Sequence, residues 1–169
     1  MARTAVFIDR DNTIIEDGPY CSSRNNVRLM KGAAEGIRKL NAAEIPVIVI
    51  TNQSGLGRGY FTEEQMKEVN EEMERQLALN NAHIDALFFC PHRPEDGCGC
   101  RKPAAGLVEA ARAAFHTKDE FVIGDRDDID GELARRVGLK YAIVGEKTLP
   151  EVVDDYLKSV TGGEREKSP

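Results

Sequence analysis

Two aspartates, Asp9 and Asp11, follow a short apolar run at positions i and i+2. Where the backbone stays extended, both side chains leave it on the same side. Carboxylates held that close repel each other unless a proton or a cation comes between them. Magnesium suits the place, because it takes oxygen ligands and often shares them with a phosphate. Asp125 ends another apolar run and offers a third carboxylate to the same ion. A carboxylate can also attack phosphorus and carry the phosphoryl group as an acyl phosphate, which splits the transfer into two steps. A second carboxyl can protonate the leaving oxygen and later take a proton from water. The transferred group needs donors around its oxygens, and Thr51, Ser54 and Lys102 are candidates for that task. Acidic pairs at this spacing are common without any such role, so the pair alone decides nothing.

A second cluster reads Cys90-x-His92-x5-Cys98-x-Cys100. Three thiolates and one imidazole make a closed tetrahedral set for zinc, and a closed set is structural rather than catalytic. Pro91, Pro94, Gly97 and Gly99 supply the turns that such a loop needs. The fourth cysteine, Cys21, stands apart and reads as a passive thiol. The loop runs straight into Arg101-Lys102, so zinc there would fix the position of the lysine.

The elements that must position these residues follow from hydrophobic pattern. Short apolar runs at 5–8, 47–50, 86–89, 121–123 and 141–144 read as buried strands. Helix-like stretches lie at 33–43, 63–80, 106–116, 130–137 and 149–159. At 63–80, Thr62 and Gln65 form a capping box, and Glu63 and Glu64 suit the positive end of the helix dipole. Met66, Val69, Met73 and Leu77 make one apolar stripe, to be packed on the sheet. Strand–helix alternation implies an α/β fold: a doubly wound parallel sheet in three layers, α/β/α. Ligands of such sheets bind outside the carboxyl ends of the strands. Asp9-Arg10-Asp11, Thr51-Asn52-Gln53-Ser54, Cys90-Pro91-His92 and Gly124-Asp125-Arg126 all fall there, and all are polar or metal-binding in type.

Length and composition narrow the rest. At 169 residues the chain fits one domain, read here as 1–160 with a disordered tail at 161–169. A net charge of −6 argues against a general nucleic-acid partner. No apolar run approaches a membrane span, and MARTAVFIDRD has no signal-peptide core, so the expected location is cytoplasmic. Nothing in the sequence demands more than a monomer.

Four segments taken together resemble the haloacid-dehalogenase (HAD) superfamily. FIDRDNT (7–13) is similar to its first motif, VITNQ (49–53) to the second, CRKP (100–103) to the lysine-bearing third and VIGDR (122–126) to the acidic fourth. The resemblance implies a Rossmann-like core with Asp9 as nucleophile, Asp11 as general acid and base, and Thr51 and Lys102 as phosphoryl stabilisers. It implies magnesium held by Asp9, Asp125 and the backbone carbonyl of Asp11. Two departures stand out. Asn12 replaces the usual glycine, and GDRDDID leaves both Asp128 and Asp130 as candidates for the motif's second acidic position.

Within the superfamily, a zinc loop without a large cap domain resembles two groups: heptose bisphosphate phosphatases and histidinol-phosphate phosphatases. TNQSGLGRGYF (51–61) and DGPY (17–20) are similar to the heptose group. That likeness implies substrate contacts at Asp17, Gly18, Pro19, Tyr20, Thr51, Asn52, Gln53, Ser54, Arg101, Lys102 and Arg126. Pro19 breaks the group's usual glycine before tyrosine. Arg58 reads either as an anchor for a second phosphate or as a solvated charge. The implied reaction removes the 7-phosphate of D-glycero-D-manno-heptose 1,7-bisphosphate on the way to nucleotide-activated heptose for surface polysaccharide such as lipopolysaccharide. Histidinol phosphate is the alternative substrate. A binding module that has lost catalysis is a further alternative, and the full set of reactive groups argues against it.

Overall fold

Val6, Phe7 and Ile8 are each fully buried, as a strand must be when helices cover both of its faces. They form β1 (Val6–Ile8), at the centre of a five-stranded parallel sheet in a computed structural model that describes residues 3–18 and 20–162. The other strands are β2 (Val47–Asn52), β3 (Ala86–Cys90), β4 (Phe121–Gly124) and β5 (Lys140–Ile143), in the order β3-β2-β1-β4-β5. Register aligns Val6 with Val47 on one side of β1 and with Phe121 on the other.

Alternation along the strands divides the core in two. Val6, Ile8, Val47 and Val49 face α1 (Ala33–Ala42), α3 (Glu63–Leu79) and α6 (Leu149–Gly162), through Ile37, Leu40, Val69, Met73, Leu77 and Val153. Phe7, Ile48 and Ile50 face α4 (Gly106–Phe115) and α5 (Glu132–Val137), through Leu107, Val108, Ala111, Leu133 and Ala134. A short α2 (Ser54–Gly57) follows β2 directly. The expected doubly wound sheet is present. The stripe read at 63–80 packs against it, with the Thr62–Gln65 capping box closed in both directions.

The chain winds outward from β1 to β3, then returns to lay β4 against the other side of β1. The carboxyl ends of β1 and β4 are therefore where connections diverge and leave a crevice. Asp9 and Asp125 each stand one residue past those ends.

Three boundaries differ from the sequence reading. Strand β2 continues through Asn52, because Thr51 and Asn52 still pair with β3. The stretch read as one helix at 130–137 is a π-helical turn, Asp127–Gly131, followed by α5. Helix α6 runs through Gly162, two residues into the stretch read as a tail, and 163–169 lie outside the described residues. Among the described residues no helix is long and apolar enough to cross a membrane.

Thr62→Ala removes one half of the α3 capping box. The expected loss is about 1 kcal/mol, or a melting temperature lower by roughly 2–4 °C, with turnover unchanged. Thermal melts beside steady-state rates check this.

Candidate active site

Lys102 is deeply set at the carboxyl ends of the strands, with 2% of its side chain exposed. Its ammonium donates to Asp9 Oδ1 at 2.9 Å and to Asp130 Oδ1 at 2.7 Å. Asp9, Asp125 and Asp130 bring carboxylate oxygens within 4.8 Å of one another. One ammonium thus faces three carboxylates. The Asp9 carboxyl is raised to about 7, chiefly by burial; Asp130 and Asp11 add to the rise and Lys102 opposes it. Burial also raises Asp125, and its hydrogen bond with Asp9 works the other way. A buried all-oxygen set with surplus negative charge fits a divalent cation such as magnesium.

The π-helical turn settles which acidic residue follows Asp125 in the cluster. The carbonyl of Arg126 accepts from the amides of Asp130 at 2.7 Å and of Ile129 and Gly131 at 3.3 Å. Tyr141 and Arg135 hold the Asp127 carboxylate at 2.8 and 3.2 Å and tie the turn down. The extra residue swings Asp130 inward and leaves Asp128 outside, paired with Arg126 at 2.5 Å. Gly124 makes room for this, since a Cβ there would lie 2.2 Å from the Asp130 carboxylate.

Asp11 sits apart from that cluster. The sequence reading relieves the repulsion between Asp9 and Asp11 with a proton or a cation. In the structure Arg10 shares the task, donating to Asp11 Oδ1 through Nε at 3.0 Å and lying at 2.9 Å through its terminal nitrogen. Gln53 donates to Asp11 Oδ2 at 2.8 Å. Asn12 takes the left-handed conformation, φ 60°, that the usual glycine would supply. Its side chain accepts from the Asp17 amide at 3.1 Å and braces the turn.

A cavity of about 420 Å³ opens above these groups. Of the sequence-expected residues, Asp9, Asp11, Asp17, Tyr20, Asn52, Gln53, Ser54, Arg101, Lys102, Asp125 and Arg126 line it. Thr51, Gly18 and Arg58 do not. Thr51 is buried beneath it, its hydroxyl accepting from Gln53 at 2.9 Å. Arg58 turns to Glu95 at 3.5 Å, the behaviour of a surface charge. Pro19 lies outside the described residues. Asn52 is engaged by protein: its amide exchanges two hydrogen bonds with the Lys102 backbone, at 2.9 and 3.1 Å. Arg101 Nη1 is buried without a hydrogen-bond partner among the described residues, a donor facing the need for an acceptor.

Cys90, His92, Cys98 and Cys100 form a closed quartet. Five of the six pairs of sulfur and nitrogen atoms stand 3.1 to 3.6 Å apart, and all lie within 4.8 Å. A tetrahedron with Zn–S bonds of about 2.3 Å has edges of roughly 3.7 Å, so the donor set and its shape fit zinc. Burial pushes the Cys90 thiol up to about 12. At Cys98 burial also works upward, but the Arg101 amide and the neighbouring thiols outweigh it and bring the thiol down to about 6.

Sequence reasoning missed Arg10 and Asn70 as site residues. A signal for Arg10 was present: an arginine two residues past a wholly buried strand needs acidic or amide partners wherever it goes.

Comparison with known proteins bears on this geometry. A family model described as polynucleotide kinase 3 phosphatase matches residues 4–143. The probable D-glycero-D-manno-heptose-1,7-bisphosphate 7-phosphatase of Thermoplasma acidophilum is 41% identical over 141 residues, covering 82% of this chain and 88% of that one. The D-glycero-beta-D-manno-heptose-1,7-bisphosphate 7-phosphatase of Escherichia coli K12 is 34% identical over 158 residues, covering 87% and 83%. This chain belongs to the HAD heptose bisphosphate phosphatase family. The D,D-heptose 1,7-bisphosphate phosphatase of B. bronchiseptica, solved with magnesium and phosphate, superposes with a TM-score of 0.83 at 27% identity, covering 92% and 99%. The chain passes from β2 to β3 through α2 and α3 alone, with no inserted domain.

The raised Asp9 carboxyl has a measurable consequence. Between its ordinary 3.8 and about 7 the folded chain holds a proton that the unfolded chain releases. Stability of the metal-free protein therefore falls as pH rises through that window. Relative to Asp9→Asn, wild type should melt progressively lower from about pH 4 to about pH 7. Added magnesium, which competes with the proton, should raise the wild-type melting temperature more at the upper end. Parallel slopes for both proteins would contradict the burial assignment.

Proposed function

We propose that this chain is a magnesium-dependent phosphatase that removes the 7-phosphate of D-glycero-D-manno-heptose 1,7-bisphosphate through a phosphoryl group carried on Asp9. The observation that carries the reading is the Asp9–Lys102 contact of 2.9 Å on the wall of a cavity that Asp11 also lines. Asp9 attacks phosphorus as its bond to the sugar oxygen breaks, and Asp11 gives that oxygen a proton. Asp11 then takes a proton from water, which attacks the same phosphorus, releases inorganic phosphate and frees Asp9. Lys102 neutralises charge on the phosphoryl oxygens. Asp9, Asp125, Asp130 and the Asp11 backbone carbonyl would hold magnesium, which when bound would supply electrophilic assistance and offset the charge between carboxylate and phosphate.

Arg101 and Arg126 suit the second phosphate of a bisphosphate, and the unpartnered Arg101 nitrogen supports that placement. Zinc in the Cys90–Cys100 loop fixes the backbone that leads into Lys102 and has no part in the chemistry. Four free thiols suit the reducing cytoplasm.

The family-model match favours a second substrate class, a 3′-phosphorylated polynucleotide. The net charge of −6 weighs against it. Purified protein should contain one zinc per chain by metal analysis and release phosphate fastest, by kcat/KM with magnesium, from the heptose bisphosphate. Histidinol phosphate and a 3′-phosphorylated oligonucleotide should trail by at least about 10²-fold, the order of discrimination that one unmet phosphate contact gives. Asp9→Asn should abolish release from all three. A preference for either competitor would overturn the substrate assignment, and an active Asp9→Asn enzyme the nucleophile.

A further inference from the structure

Arg10 has 1% of its surface exposed, is ion-paired within the chain, and takes no part in the proposed chemistry. Its donors nonetheless reach three polar side chains from three elements. Nε and one terminal nitrogen meet Asp11 Oδ1 at 3.0 and 2.9 Å. The same terminal nitrogen donates to Gln53 Oε1 at 3.1 Å, and the other donates to Asn70 Oδ1, on α3, at 2.8 Å. Gln53 closes the ring by donating to Asp11 Oδ2 at 2.8 Å and to Thr51 at 2.9 Å. Both Asp11 oxygens are thus held by groups that are themselves held, one from β2 and one from α3.

We propose that Arg10, locked by Asn70 and Gln53, is a positioning residue that fixes the Asp11 carboxylate in the orientation needed for proton transfer with the substrate oxygen. The inference rests on the acid–base reading of Asp11. A planar guanidinium meets three acceptors in one plane, which an ammonium on a flexible stem does not reproduce. Asn70 therefore links a helix on the outer layer to the proton-transfer group. Gln53, expected to contact substrate, serves the same ring from beneath.

Leaving-group dependence separates this role from plain structural support. A sugar alkoxide departs only when protonated, whereas the phenolate of p-nitrophenyl phosphate departs without help. The value kcat/KM reports the step in which the leaving group goes. For Arg10→Met we expect a loss of about 10²-fold on the heptose bisphosphate and below about 10-fold on p-nitrophenyl phosphate, the range for a misplaced general acid. Asp11→Asn should show the same bias more strongly. Asn70→Ala should show it more weakly, and Arg10→Lys should not restore wild-type rates. Should Arg10→Met fail to fold in thermal melts, the bias in Asn70→Ala decides. Equal losses on both substrates, beside a biased Asp11→Asn, would overturn the positioning role alone. An Asp11→Asn enzyme without bias would remove the acid–base assignment and this role with it.

Discussion

One buried ammonium holds the site together. Lys102 lies between Asp9 and Asp130 at 2.9 and 2.7 Å, out of reach of water. Desolvation penalises every charge in that contact, and the Coulomb attraction repays it only when geometry is tight and remaining lone pairs are satisfied. With Asp125 alongside, the carboxylates still outnumber the lysine. That excess makes the cluster a place for a divalent cation. On the proposed mechanism, Asp9 gives up its lysine contact to an incoming phosphoryl group.

The fold supplies what this arrangement requires through a few local devices. The sheet order brings the ends of β1 and β4 side by side, which places Asp9 next to Asp125. A π-helical turn, made possible by Gly124, carries Asp130 over β4 to the lysine. Asn52, at the end of β2, grips the Lys102 backbone with two hydrogen bonds. The Cys90–Cys100 quartet closes the loop just before it. Each device acts on backbone, so the long flexible lysine side chain starts from a fixed point.

Much of this was legible in the residues, and the exceptions have physical causes. The five strands stood out because apolar β-branched runs too short for helices have few other places to go. The residues past their ends followed from the general rule for such sheets. The quartet was readable because thiols and imidazole at tetrahedral spacing have a narrow chemistry. Asp128 and Asp130 could not be separated, since an added residue in one helical turn leaves no mark in composition. Asn52, Gln53 and Thr51 were read toward the substrate; Asn52 and Gln53 do line the cavity, but Asn52 also holds the lysine backbone and Gln53 and Thr51 also join the Arg10 ring, internal partners that type and spacing alone do not reveal. Arg58 read either as an anchor or as a solvated charge, and its 3.5 Å contact with Glu95 is that of a surface charge.

The account turns on whether Asp9, cleared of its lysine contact, carries a phosphoryl group. Enzyme mixed with labelled heptose bisphosphate and magnesium, quenched in acid within one turnover and digested, tests this directly. The label should appear on the peptide containing Asp9, be released by hydroxylamine as an acyl phosphate is, and be missing from Asp9→Asn. Full phosphate release in the same interval with no label on that peptide would contradict it.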